Sequence, residues 1–346
     1  MKKLIKRTID YAIRRAFEEY RKERVFGGMM VGGSIVASRN VSVSRYYRYP
    51  KDIIDEINLS PDVPDEVIYD INTGAYGYSV TDAWMISHGK AQLESIKKYF
   101  MFLQLMYESF ISIKQKMYKV NPNKKGCKDE GNIHTSPQEL LAISSYLYIL
   151  NSYDVQGDIL ECGCCFGYST CCLSLVCDYL DRKLIVADSF EGLPESEDSY
   201  YQKGDFAAPF EEVQHNINIF GKISKVEFIK GFYSESLKGF SRPLCAIWID
   251  VDLCSSALDV FENTYSMLSK GGLIFSHEMT AKYFNINNLC EASGDAELPR
   301  AFRKFFLERG KPLSGIFLDG SSAVFTVSRI PITPSRIVAA ITGINS

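Results

Sequence analysis

Residues 155–170, VQGDILECGCCFGYST, constrain the chain more than any other stretch, because an apolar strand runs into a glycine turn and then into a helix. The strand is Asp158, Ile159 and Leu160, Glu161 ends it, Gly163 and Gly167 make the turn, and Ser169 and Thr170 begin the helix. Only glycine lets a backbone turn sharply there and come close to a ligand. The spacing, Glu-x-Gly-x-x-x-Gly, lacks the three-glycine fingerprint of a diphosphate-binding turn. Alone it leaves a nucleotide-type cofactor site and a plain structural turn equally open.

The next segments extend the pattern. Leu184 to Ala187 form an apolar strand that ends in Asp188, at the spacing expected for the second strand of a βαβ unit, and a carboxylate there can accept both hydroxyls of a ribose. VEFIKGF (226–232) reads as a third strand and LCAIWIDVDL (244–253) as a fourth that ends in two acids. A helical stretch from Ala257 to Leu268 follows, then a glycine turn, a strand and a polar tip at His277 and Glu278. Strands alternating with helical segments predict an α/β fold with a mostly parallel sheet and helices on both faces. The polar residues collect at the carboxyl ends of the strands, where open α/β sheets bind ligands.

With GDILECGCCFGYS, VADSFEGLP, GDFAAPFEEVQHNI, WIDVDLCSSALDVFENTYSMLSKGGLIF and the late AFRKFFLERG helix in one order, the run from about Thr135 to Phe325 resembles the macrocin O-methyltransferase (TylF-like) family. The resemblance implies a Rossmann-like class I methyltransferase fold with a seven-stranded sheet, whose last strand, GSSAVFTVS, runs antiparallel. It implies S-adenosylmethionine as cofactor and a sugar or glycoside hydroxyl as acceptor. Glu161, Gly163 and Gly167 would line the methionine end, Asp188 and Ser189 would hold the ribose, and Asp205, Phe206 and Phe232 would lie near the adenine. Phe206 and Phe232 read equally well as core aromatics.

Methyl transfer to a hydroxyl needs alignment and a way to remove a proton, by a divalent metal or a positioned base. Relatives resemble magnesium enzymes with one aspartate after the fourth strand and a pair after the fifth. Asp250 matches the first, but His277 and Glu278 stand where the pair should be. Three readings are open: Asp250, His277 and Glu278 hold a divalent cation (Mg, Mn or Zn), imidazole favouring a softer ion than magnesium; His277 is a metal-free general base beside Asp250; or the domain binds cofactor without turnover, as a scaffold. Asp252 is an acid supporting the site or an N-cap for the next helix.

At 346 residues the chain divides into an accessory region (1–130), a methyltransferase domain (131–330) and a tail (331–346). The net charge of −3 gives no reason to expect nucleic acid. No apolar run reaches the ~20 residues of a membrane span, and Asp10, Arg14, Arg15, Glu18 and Glu19 interrupt what would be a signal peptide after MKKLIKR. A cytoplasmic location follows as the expectation. The cluster Cys162, Cys164, Cys165, Cys171, Cys172 and Cys177 lacks the paired Cys-x-x-Cys spacing of zinc sites and reads as small buried residues.

Residues 1–24 pattern as a basic amphipathic helix, which would lie on an anionic membrane surface or pack on the body or on a second copy in a homo-oligomer. GGMMVGGS (27–34) reads as a joint, 34–48 as a strand or extended arm, 91–120 as a long helix and 121–132 as a linker or lid. The segment 282–297, with Tyr283, Asn285, Asn287 and Asn288, occupies the position of an acceptor loop.

Overall fold

The computed structural model describes residues 28–31, 34–37, 66–71, 83–88, 90–120, 135–195, 201–279, 284–285, 288–292, 297–311, 313–318 and 322–326. The amphipathic helix of 1–24, the linker 121–132 and the tail 331–346 lie outside them, as do Tyr283 and Asn287.

The chain contributes two short strands, β1 (Gly28–Val31) and β2 (Ser34–Ala37), then β3 (Glu66–Ile71) and β4 (Ala83–His88), which pair with each other, and a 31-residue helix, α1 (Lys90–Val120). Helix α2 (Pro137–Ser152) leads into the alternating body: β5 (Asp158–Cys162), α3 (Tyr168–Leu180), β6 (Leu184–Asp188), α4 (Phe210–Phe220), β7 (Val226–Lys230), α5 (Tyr233–Ser236), β8 (Leu244–Ile249), α6 (Cys254–Thr264) and β9 (Leu268–Ser276). A small hairpin of β10 (Phe284–Asn285) and β11 (Asn288–Ala292), helix α7 (Glu297–Phe302) with a π-helical continuation (Arg303–Leu307), and strands β12 (Ser314–Phe317) and β13 (Ala323–Thr326) complete it.

The main sheet has the order β2-β1-β12-β13-β9-β8-β5-β6-β7. Strands β5 to β9 are mutually parallel, and β13 inserts antiparallel between β9 and β12. The seven strands expected of residues 158–326 are therefore present, with the last one antiparallel. The sheet is nine-stranded because the β1–β2 hairpin, a stretch that reads in the sequence as a joint and an arm, pairs antiparallel onto β12. The helix expected from Ala257 begins earlier, at Cys254, where Glu297 Oε2 accepts the Cys254 N–H at 2.8 Å. The glycine turn expected before the fifth strand lies inside β9, whose pairing with β8 shifts register there.

Strands β5, β6 and β8 are buried along almost their whole length, which is why they read as continuous apolar runs and not as alternating ones. Two cores flank the sheet. Helices α1, α2 and α3 cover one face through Phe102, Phe110, Leu140, Tyr146 and Leu173. On the other, Phe261 of α6 meets Phe302, Phe305 and Phe306 at ring-centroid separations of 5.0–5.2 Å. Both faces being closed, the carboxyl ends of the parallel strands remain the place for a ligand.

Candidate active site

The site is built by the ladder itself, continued one residue past the strand ends. Gly163 N–H donates to Ala187 O at 3.1 Å, Asp250 N–H to Cys162 O at 2.9 Å and His277 N–H to Ile249 O at 2.9 Å. Four adjacent strands, β6, β5, β8 and β9, are thus pinned side by side at their tips before their side chains do any chemistry. Gly163, at φ +87°, packs so closely on the β8 tip that a Cβ would stand 1.9 Å from Asp250 O. That contact explains the glycine in physical terms.

A cavity of ≈ 340 Å³ opens above these tips. Gly163, Asp188, Ser189, Phe206, Phe232, Asp250, His277 and Glu278 all line it, so eight residues singled out in the sequence come together. Asp188 sits at its edge with both oxygens anchored: Cys164 N–H donates to Oδ2 at 2.8 Å and Phe190 N–H to Oδ1 at 2.7 Å. Tyr168 and Ser169, in the first turn of α3, also face it.

The other expected residues stand back from the wall. Glu161 is fully buried; Ser169 Oγ donates to its Oε1 at 2.5 Å, while Oε2 has no hydrogen-bond partner among the described residues. Burial pushes its pKa up to about 8, the Ser169 hydrogen bond offsetting part of that rise, so Glu161 is protonated at neutral pH. Gly167, at φ +84°, caps α3 and packs against Val213. Asp205 accepts the Gln202 N–H at 2.9 Å within a surface turn.

At the other end of the cavity the structure reveals a cluster only partly visible in the sequence. His277 is buried, with Nδ1 3.1 Å from Asp250 Oδ1 and Nε2 3.6 Å from Glu139 Oε1. Burial opposes the imidazolium, but Asp250, Glu139 and Glu278 together outweigh it and raise the pKa to about 10. Thr135 Oγ1 donates to Asp250 Oδ2 at 3.4 Å, and Lys114 Nζ of α1 donates to Thr135 O at 3.3 Å. Tyr201 OH donates to Glu278 Oε1 at 3.2 Å. Among the described residues no three His, Cys, Asp or Glu side chains are arranged to hold a metal ion. Asp250, His277 and Glu278 therefore do not fit the cation that the sequence comparison led one to expect, since the imidazole is spent on two carboxylates.

Glu139, Thr135, Tyr201 and Lys114 escaped the sequence reading. Glu139 had a legible signal: TSPQE is a capping box, and Ser136 Oγ accepts Glu139 N–H at 3.1 Å while Glu139 Oε2 accepts Ser136 N–H at 2.8 Å. The spare oxygen of the same carboxylate, Oε1, accepts from Ser322 Oγ at 2.9 Å and faces His277. Nothing in a linear pattern says that a capping acid will also meet a histidine 138 residues away. Asp252, at φ +60°, lines the cavity, and the helix after it is capped by Glu297. Among the described residues, Cys162, Cys164, Cys165, Cys171, Cys172, Cys177, Cys245 and Cys254 are free thiols; all of these except Cys165 are buried, and burial pushes the Cys162, Cys164, Cys172 and Cys177 thiols well up.

Residues 119–289 match the macrocin-O-methyltransferase (TylF) family. The chain carries a TylF domain. Among characterised relatives, 8-demethyl-8-(2,3-dimethoxy-alpha-L-rhamnosyl)-tetracenomycin-C 4'-O-methyltransferase of Streptomyces olivaceus is 33% identical, over 35% of this chain and 52% of its own. Mycinamicin III 3''-O-methyltransferase of Micromonospora griseorubida is 29% identical, over 34% of this chain and 53% of its own. The chain thus spans about half the length of the curated relatives it matches. The solved O-methyltransferase NovP superposes with a TM-score of 0.52 at 19% identity, covering 66% of this chain and 99% of NovP, which establishes the class I methyltransferase fold for the TylF domain. No helix among the described residues is long and apolar enough to cross a membrane.

Proposed function

We propose that this chain is an S-adenosylmethionine-dependent O-methyltransferase acting on a hydroxyl of a sugar or glycoside. The observation that carries the reading is Asp188: a carboxylate fixed by two backbone N–H groups at the rim of the cavity, beside a glycine turn that admits close approach. Each of its oxygens keeps acceptor capacity for a ligand hydroxyl. The residues fit the cofactor. Asp188 and Ser189 would hold its ribose, the turn at Gly163 and Gly167 with the first turn of α3 would take the methionine end, and neutral Glu161, with one orphaned oxygen, would support that end from beneath. Phe206 and Phe232, both on the cavity wall, would sandwich the base, with Asp205 stabilising the turn that presents Phe206.

Bound there, S-adenosylmethionine supplies an electrophilic methyl group. The protein's part is to align an acceptor hydroxyl and receive its proton. A hydroxyl oxygen becomes strongly acidic as it is alkylated, so a carboxylate is base enough, and Asp250 at the cavity floor takes that role. His277 does not act as the base in this reading, because it already holds its proton at neutral pH and serves to fix Asp250. Isolation from water is shared by the aromatic wall and by Tyr201 lying against Glu278.

A sugar acceptor is favoured by the first relative above, whose name carries a rhamnosyl group on its acceptor. Residues 1–130 act as an accessory region, with α1 reaching the site through Lys114 and through Phe110 O, which accepts from Tyr168 OH at 3.2 Å. The test is calorimetric titration with S-adenosylhomocysteine, followed by a glycoside panel with S-adenosylmethionine. Binding with methylated product supports the reading. Binding without product on any glycoside favours a cofactor-binding scaffold, and no binding overturns both.

A further inference from the structure

Four carboxylates, Asp250, Asp252, Glu278 and the buried Glu139, surround the β8–β9 end of the cavity or stand just behind it. Such a gathering of acid needs positive charge, or it will not stay folded with all its members ionised. Elsewhere a divalent cation would supply it. Here two of these acids, Asp250 on the cavity wall and Glu139 behind it, flank the ring of His277, which presents Nδ1 to Asp250 at 3.1 Å and Nε2 to Glu139 at 3.6 Å.

Both ring nitrogens are directed at carboxylates and neither at the open cavity, so no lone pair is offered to an ion there. Each of these carboxylates also accepts from a neighbour. Glu139 takes the Ser136 N–H on Oε2 and the Ser322 hydroxyl on Oε1; Asp250 takes Thr135 on Oδ2; Glu278 takes Tyr201 on Oε1. The ring cannot swing away cheaply, because its backbone N–H is tied to Ile249 O and Trp248 lies edge-on to it with centroids 6.2 Å apart. A magnesium ion would need near-octahedral oxygen ligands at ~2.0–2.1 Å, and assembling them would mean breaking these bonds.

We propose that the His277 side chain takes the place of a divalent cation in this pocket, an internal counter-ion clamped between Asp250 and Glu139, so that the site operates without a metal. The proposal rests on the reading of the chain as a methyltransferase for its consequence, but the clamp itself does not.

The test is manganese alone, titrated into the chelator-treated full chain and followed by electron paramagnetic resonance of free Mn2+. The wild-type protein is expected to leave the free signal undiminished up to about 1 mM, the weak end of protein affinities for divalent ions. His277→Asp, which restores an all-oxygen set, should bind at least about tenfold more tightly, a change of the size seen when a site's supporting shell is altered. Stoichiometric micromolar binding by the wild type that is lost in His277→Ala would overturn the proposal, and the wild-type titration decides it even if His277→Asp fails to fold. Titration with S-adenosylhomocysteine in the same chelated buffer reads the proposed function separately. Absence of cofactor binding there would sink that reading and leave the manganese result standing on its own.

Discussion

The two ends of the cavity are made of the same material, residues at the end of a parallel strand or one step past it, yet they are constrained in different ways. At the β5–β6 end the constraint is steric and backbone-based: Gly163 fits where no side chain can, and Asp188 is fixed by two N–H groups of its own neighbourhood. At the β8–β9 end it is electrostatic and long-range: Asp250 and His277 are fixed by Thr135, Glu139 and Ser322, drawn from other parts of the chain. The first end tolerates almost no change of shape. The second tolerates shape changes and is sensitive to charge.

The largest expected effect comes from attacking the steric end. Gly163→Ala places a Cβ 1.9 Å from Asp250 O and forces a side-chain-bearing residue to φ +87°. Relief requires the β5 and β8 tips to part, breaking both ends at once. A loss of about 3 kcal/mol or more, or about 6–12 °C in Tm, is expected for a domain of this size. A melting temperature within a degree or two of wild type would show that the two tips are not packed as described.

Asp188→Asn should separate shape from charge at the same end. The amide keeps the volume but loses the charge-assisted bonds from Cys164 and Phe190, each worth ~1.5–3 kcal/mol at most. S-adenosylhomocysteine affinity measured by calorimetry should fall by about tenfold to a hundredfold, while the fold survives. Unaltered affinity would remove Asp188 from the cofactor site.

What was legible in the sequence divides along the same line. Gly163, Asp188 and the succession of strands and helices could be read because each depends on neighbours a few residues away or on a spacing that a βαβ unit imposes. Asp250 and His277 could be placed at strand tips for the same reason. Their partners could not: Glu139 carried the signature of a helix cap, and its meeting with His277 depends on where α2 lands on the finished sheet. The metal reading came from the family resemblance and from the residue types at two strand tips, and the clamp around the ring is what neither contains. Of the β1–β2 hairpin, β2 lies within the stretch that reads as a strand or extended arm, but β1 was hidden in the joint, because a glycine-bracketed tetrapeptide carries no period long enough to announce an edge strand.

Titration distinguishes the ends without changing their shape. Glu161, near the steric end, has its pKa raised to about 8 and His277, at the electrostatic end, to about 10. For both groups the folded value exceeds the unfolded one, so each contributes stability that is fully present below its unfolded pKa and lost as pH rises through the folded value. Stability should therefore decline between pH ~4.5 and 8 through Glu161 and between pH ~6.5 and 10 through His277. Denaturant midpoints across that range should show Glu161→Gln flattening the lower limb and His277→Gln the upper one. A single mutation flattening both would mean that the ends titrate as one unit.

The smallest effect belongs to a place where the electrostatic end also carries backbone strain, as it does at Glu278 with φ +56°. Asp252 sits at φ +60° on the cavity wall, a conformation that costs a residue with a Cβ about 1 kcal/mol and that glycine adopts freely. Asp252→Gly relieves that strain but adds freedom to the unfolded chain, and the two terms nearly cancel, so Tm should move by no more than about 2–4 °C. Asp252→Asn removes the charge and keeps a residue at ease in the left-handed region, so it too should fold normally. If the strain is held in place for function, both variants should lose methyl transfer despite intact folding and intact S-adenosylhomocysteine binding. If both retain full activity, Asp252 is a bystander and the acid that matters at this end is Asp250 alone. Either way the contrast with Gly163→Ala stands: two left-handed positions on one cavity wall, one that cannot accept a side chain and one that bears a carboxylate at little cost to the fold.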